Sequence, residues 1–162
     1  MRSKVLFISS SGGHYKQLRA MQPLIDKYNG VIVTENDAAI TKKAGMYLLH
    51  QVNRKEKLFY LWLFLDAILE LRIFIKECPA VIVTTGVLAA IPMCMIAKLF
   101  GRKVIYVESF AKIISPTKTG EYIYNHHLAD YFFCAVGEHA EGVPRRNLRG
   151  EPVLTRGGGF LA

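Results

Sequence analysis

Apolar residues fall into two kinds of run along this chain. Short runs rich in valine and isoleucine occupy residues 4–9, 30–34, 80–84 and 103–107, with a brief one at 131–134. Longer stretches of helical character fill 13–27, 56–77, 87–100 and 116–127. Strands that are apolar throughout cannot leave a face in water. Alternating with helices, they predict a parallel sheet covered on both sides. The expected fold is therefore α/β, a Rossmann-like doubly wound domain over residues 1–133, with right-handed crossovers. In such a sheet, ligands bind where loops leave the carboxyl ends of the strands.

One helix departs from the usual amphipathic pattern. Residues 58–65 are eight consecutive apolar positions that include Phe59, Tyr60, Trp62 and Phe64, and Arg54, Lys55 and Lys57 precede them. Asp66, Glu70, Arg72 and Lys76 interrupt the apolar surface further on. A helix that is apolar all round is buried in protein or sits in lipid. Basic residues beside an aromatic-rich stretch suit an interfacial anchor, with those four aromatics as the membrane contacts. A core helix, or one buried against another subunit, is the structural alternative. No stretch reaches the roughly 20 apolar residues that span a bilayer.

Three loops carry candidate chemistry. The first, Ser9-Ser10-Ser11-Gly12-Gly13-His14, follows the first strand. Glycines there let backbone approach a ligand, and the helix that follows offers free N–H groups to an anion. It matches neither GxGxxG nor a Walker loop, and a tight turn with a serine cap is the structural alternative. The second, Thr84-Thr85-Gly86, precedes an almost wholly apolar helix that carries Pro92. That helix reads as a buried crossover or as an apolar wall beside a lipid. The third runs from Tyr106 through Glu108 and Ser109 to Lys112. Glu108 falls at a strand's carboxyl end, where a carboxylate can orient a hydroxyl or act as a base. Equally, it can cap a helix or pair with Lys112.

Composition narrows the partners. With 51 % apolar and 21 % charged residues, the chain is globular rather than disordered. Cys78, Cys94 and Cys134 show no metal-ligand spacing and no disulfide framework, which suggests reduced thiols and a cytosolic setting. No metal and no cofactor are expected. A net charge of +8 suits an anionic partner. No nucleic-acid-binding module is recognisable, so a membrane surface or a diphosphate is expected instead of nucleic acid.

Taken together, the stretches SSSGGHYKQL at 9–18, TTG at 84–86 followed by Pro92, YVESFAK at 106–112, SPTKTG at 115–120 and LADYFF at 128–133 resemble a known family. It is the Alg-fourteen-like oligosaccharide biosynthesis subunits, with the PssD/EpsE-type proteins of capsule and exopolysaccharide clusters as bacterial relatives. The opening GGH is less specific, since MurG-type transferases share something like it. The resemblance implies the N-terminal half of a GT-B glycosyltransferase split over two chains. This half would bind a polyprenyl-diphosphate-linked sugar acceptor and dock peripherally on the cytoplasmic face of the cell membrane. A partner chain would bind the nucleotide-sugar and complete a heterodimer, so this chain is expected to be inactive alone. Carried onto this sequence, Ser11, Gly12, Gly13, His14, Gly86 and Ser109 would face the acceptor. His14 and Glu108 would be the catalytic candidates. The alternative from another class is a peripheral membrane scaffold protein with no sugar ligand of its own.

The resemblance stops after Phe133. Residues 134–162 lose all hydrophobic periodicity and hold Gly137, Gly142, Gly150, Gly157, Gly158 and Gly159, six of the chain's thirteen glycines. Synonymous codons for residues 134–150, read one nucleotide later, can encode VQWENMQKVYPEGIYVG, which continues as the relatives do. The expectation is a one-nucleotide insertion or deletion near codon 134, and a loosely packed tail. A divergent tail is the other reading.

Overall fold

The computed structural model of the chain describes residues 4–51, 57–86, 88–108 and 117–133. Ser109, Arg54, Lys55, Lys112 and the tail at 134–162 lie outside them.

Six strands form one parallel sheet in the order β3-β2-β1-β4-β5-β6. They are β1 (Val5–Ser9), β2 (Val31–Glu35), β3 (Met46–Leu49), β4 (Val81–Thr84), β5 (Lys103–Val107) and β6 (Tyr131–Phe133). The helices are α1 (Gly13–Ala20), α2 (Gln22–Lys27), α3 (Phe59–Glu77), α4 (Ala90–Leu99) and α5 (Lys118–Asn125). The Rossmann-like architecture expected from the alternating runs is the one observed. β1 is central and buried at all five positions, as a strand covered on both faces must be.

Two elements differ from the sequence reading. The single helix expected over 13–27 is two, joined at Met21 (φ −86°, ψ 16°). Pro23 supplies the reason: it has no N–H to bond back to the preceding turn, and it is tolerated only at the start of a new helix. β3 was not expected at all. It is a four-residue edge strand, buried only at Met46 and Leu49, too short and too mixed to show a period.

Alternate residues of β1 feed two cores. Leu6 and Ile8 pack with Ile73 and Phe74 of α3, Met93 of α4 and Ile123 of α5. Val5 and Phe7 pack with Leu18 and Ile25 of α1 and α2. Among the described residues, the second face is covered only in part. Val81, Val83, Ile105, Val107 and Phe133 line an apolar groove of about 670 Å³ beside Leu24 and Tyr28. At the opposite end of the sheet, Lys4 donates to Glu77 at 2.7 Å, and Glu77 also accepts from Tyr47. These bonds fasten the end of α3 to the amino edge.

α3 is amphipathic in an inverted sense. Its buried residues are Asp66, Glu70, Ile73 and Phe74, at the spacing of one helical face. Its outer face exposes Tyr60, Leu61, Phe64, Leu65, Ile68, Leu71 and Ile75. Met95, Leu99 and Phe100, on and just after α4, are also exposed. Among the described residues, no helix is long and apolar enough to cross a membrane.

Candidate functional site

The carboxyl edge of the sheet gathers the loop after β1, the ends of β2 and β3, the loop after β4 and the end of β5. Gly12 takes φ 69° and ψ −131° as the N-cap of α1, a conformation that side chains disfavour. Among the described residues no side chain caps that helix, and its first N–H groups are open to water or a ligand. Gly12 and Gly13 are exposed, with nothing within 4 Å of where a Cβ would stand.

Ser11 is fixed from below. Its backbone N–H and its hydroxyl both donate to Oε2 of Glu35, at 3.3 and 3.4 Å. Burial pushes the Glu35 carboxyl above its ordinary range, the two Ser11 donors oppose this, and the nearby charges of Asp66 and His14 act in opposite directions. Glu35 thus joins the edge next to the glycine loop, a place the sequence reading had not assigned it. Its signal was available: an acidic residue ending a valine-rich strand.

His14 is held by the loop after β4. Its Nδ1 lies 2.9 Å from the carbonyl oxygen of Thr85, and the hydroxyl of Thr85 donates to the His14 carbonyl at 3.4 Å. A carbonyl can only accept, so Nδ1 carries the hydrogen. The neutral ring then presents a bare Nε2. A hydrogen-bond acceptor is therefore fixed at the mouth of the glycine loop.

Gly86 has a tighter setting. It is buried at φ 83°, and a Cβ there would collide with the Tyr106 hydroxyl and lie 2.8 Å from Cζ of the same ring. Gly120 is similar, its Cβ position being 2.7 Å from that hydroxyl and close to Glu108. Both glycines leave room for Tyr106, which stacks on Phe132 at 4.4 Å.

Glu108 is only 4 % exposed. Its Oε2 accepts from the Tyr106 hydroxyl at 3.3 Å and from the Thr117 N–H and hydroxyl at 3.3 and 3.4 Å. Thr117 is itself the N-cap of α5, accepting from the Gly120 N–H at 3.0 Å. The Glu108 backbone is also engaged, its N–H with Phe133 and its carbonyl with Gln17. A carboxylate at a helix N-terminus is stabilised by the dipole. Here it ties β5, α5 and α1 together at the edge of the crevice.

The four aromatics of α3 divide. Tyr60 and Phe64 point outward, 81 % and 62 % exposed. Phe59 and Trp62 are half-buried, and Trp62 packs on the ring of His50 at 4.8 Å. The helical turn separates them: positions 60 and 64 share a face, whereas 62 and 66 lie on the inner one.

No family model matches the chain, and no curated protein matches it either. Solved structures do. MurG of Acinetobacter baumannii aligns over 87 % of this chain and 43 % of its own, with a TM-score of 0.62 and 14 % identity. UDP-N-acetylglucosamine 2-epimerase of Rickettsia bellii aligns over 86 % and 40 %, at 0.61 and 16 %. The UDP-GlcNAc 2-epimerase of Methanocaldococcus jannaschii aligns over 81 % and 39 %, at 0.59 and 14 %. At these identities the likeness establishes the fold, the Rossmann-like α/β domain found in GT-B enzymes such as MurG. The chain spans about two fifths of the length of each of these structures.

Proposed function

We propose that this chain is the acceptor-side, membrane-docking subunit of a two-chain glycosyltransferase. It would hold a polyprenyl-diphosphate-linked saccharide while a partner chain presents the nucleotide-sugar, in the synthesis of a capsule or exopolysaccharide. The inverted α3 carries this reading. Seven large apolar side chains on one outer face, joined by three on or next to α4, form the kind of exposed apolar surface that marks a lipid or protein contact. Lys57, Arg72 and Lys76 are exposed along the same helix, where they can meet anionic headgroups. The fold shared with sugar-nucleotide epimerases and MurG, at two fifths of their length, fits one half of a two-domain enzyme. His14 and the uncapped start of α1 give that half an acceptor of hydrogen bonds beside a place for an anionic group.

Two experiments test this. Purified alone, the chain should transfer no sugar to a short-chain prenyl diphosphate saccharide. Co-expressed with a nucleotide-sugar-binding partner chain, it should. Robust turnover by the single chain refutes the two-chain arrangement. On anionic vesicles, Tyr60→Ser with Phe64→Ser should weaken binding by at least about 100-fold, since burial of each aromatic contributes roughly 1.5–3 kcal/mol. Both side chains are exposed, so the fold should survive. Unchanged vesicle binding in a folded double variant would mean that α3 faces a protein instead of lipid.

A further inference from the structure

His50 follows β3 directly, on the same carboxyl edge as His14 but two strands away, about 10 Å at ordinary strand spacing. Its Nδ1 lies 2.8 Å from Oδ1 of Asp66, and its backbone N–H donates to the same oxygen at 3.0 Å. Asp66 is 1 % exposed, whereas the His50 side chain is 52 % exposed. The ring leans on Trp62 with centroids 4.8 Å apart, tilted by 35°. A buried carboxylate therefore holds an imidazole by one nitrogen and leaves the other towards solvent. As a carboxylate only accepts, Nδ1 carries the hydrogen and Nε2 of the neutral ring has its lone pair free. A carboxylate behind an imidazole fixes its tautomer and stabilises the imidazolium once a proton arrives.

We propose that His50, held by Asp66, accepts the proton of a sugar hydroxyl bound at this edge, with Asp66 as its positioning residue. The inference rests on the glycosyltransferase reading and deepens it, since an acceptor domain has to provide for the proton of the attacking hydroxyl. In the step, the hydroxyl oxygen of the acceptor forms a bond to the anomeric carbon of the nucleotide-sugar. The bond from that carbon to the diphosphate breaks, and the nucleoside diphosphate leaves with the electron pair. The hydroxyl proton passes to Nε2 of His50, giving an imidazolium that faces Asp66.

His14 differs in what stands behind it. Its Nδ1 meets a neutral carbonyl, and Glu35, whose carboxyl its charge reaches, is hydrogen-bonded to Ser11 and not to the His14 ring. His14 therefore suits binding of an acceptor group, and His50 suits proton uptake. The other charged groups near the pair are consistent with this. Glu35 at the end of β2 and Glu70 on α3 both respond to the charge of Asp66, and burial raises both carboxyls. Lys57, just before α3, is exposed. None of these groups is hydrogen-bonded to the His50 ring among the described residues.

The chain contains a single tryptophan, Trp62, so its fluorescence reports on His50 directly. A short-chain prenyl diphosphate sugar added to the single chain should alter the emission, and His50→Gln should lose that response. An equal response in both proteins, or none in the wild type, overturns the proposal. This arm needs no turnover and so stands even if the two-chain reading fails. In the active complex, His50→Gln should lower kcat by about 100-fold or more, the ordinary range for loss of a general base. Asp66→Asn should lower kcat while leaving KM for the acceptor near wild type, the split expected of a residue that positions the base rather than binding substrate. Wild-type kcat in His50→Gln, with kcat lost in His14→Ala instead, would assign the base to His14 and overturn the proposal.

Discussion

Gly86→Ala should destabilise the domain by about 3 kcal/mol, read as a lower urea midpoint with an unchanged slope. Two costs add. The backbone at φ 83° lies in the left-handed region, which costs an L-residue roughly 1–2 kcal/mol. The new methyl would also enter the space of the Tyr106 ring, and overpacking of this kind costs about 1–3 kcal/mol. Gly12→Ala separates the two contributions. Its φ of 69° and ψ of −131° are a largely glycine-only conformation, but no atom lies within 4 Å of its Cβ position, so only a backbone cost of about 1–3 kcal/mol remains. Tyr106→Phe in the Gly86→Ala background should recover part of the loss, because the hydroxyl is the nearest atom. No recovery in that double variant would show that Tyr106 moves aside without cost.

Glu70→Gln should change the pH dependence of stability more than any other single substitution on α3. Glu70 is fully buried, and neither carboxyl oxygen makes a full hydrogen bond among the described residues, although the Met93 backbone lies near enough to oppose the shift in part. Burial, and secondarily the charge of Asp66, push its carboxyl well above the ordinary value of 4.5. The folded protein therefore keeps a proton that the unfolded chain releases. The contribution of Glu70 is fully present below about pH 4.5 and is lost as pH rises towards the folded-state value. Glutamine keeps the shape and does not titrate. The stability of Glu70→Gln relative to wild type should thus grow by about 1.4 kcal/mol per pH unit above that point. Glu35, Glu77 and Asp130 are also shifted, but they are common to both proteins and cancel in the difference. Urea unfolding at several pH values measures it, and parallel curves would mean that Glu70 titrates normally.

The sheet was legible because its inner strands are apolar on both faces, which only a parallel sheet between helix layers requires. Valine and isoleucine mark β1, β2, β4 and β5 without ambiguity. β3 had no such mark, and missing it also hid His50, whose importance comes from standing at that strand's carboxyl end. Asp66 was visible only as an interruption of an apolar run. Asp66 and Glu70 at i and i+4 fall on one face, opposite a row of leucines and aromatics, and by the ordinary rule that pattern turns the acids to solvent. Orientation around α3 could not come from hydrophobicity alone, because the pattern is inverted: Trp62, the most conspicuous aromatic, turns inward onto His50. At the glycine loop the sequence pointed to His14, and the structure adds what fixes it, the Thr85 carbonyl 71 positions away. Glu108 illustrates the converse. Its position at a strand end suggested chemistry, and its carboxylate turns out to be joined to Thr117 and Tyr106 at the start of α5.

The order of strands also governs how the chain reaches this state. β1 lies between β2 and β4, pairing with Val31–Thr34 on one side and with Val81–Thr84 on the other. The first pairing closes a short loop, whereas in the second Val5 meets Val81 across 81 − 5 = 76 positions. Closing the longer loop costs more entropy and depends on distant contacts, so it comes later and slows folding. On a ribosome, β1, β2 and β3 can assemble with α1 and α2 while β4 is still within the exit tunnel. Until β4 emerges, that nascent half-sheet exposes the open edge of β1 and the apolar side chains of Leu6 and Ile8. Newly made chains are therefore most prone to self-association during this interval, and binding by a chaperone would matter most before Thr84 has left the tunnel.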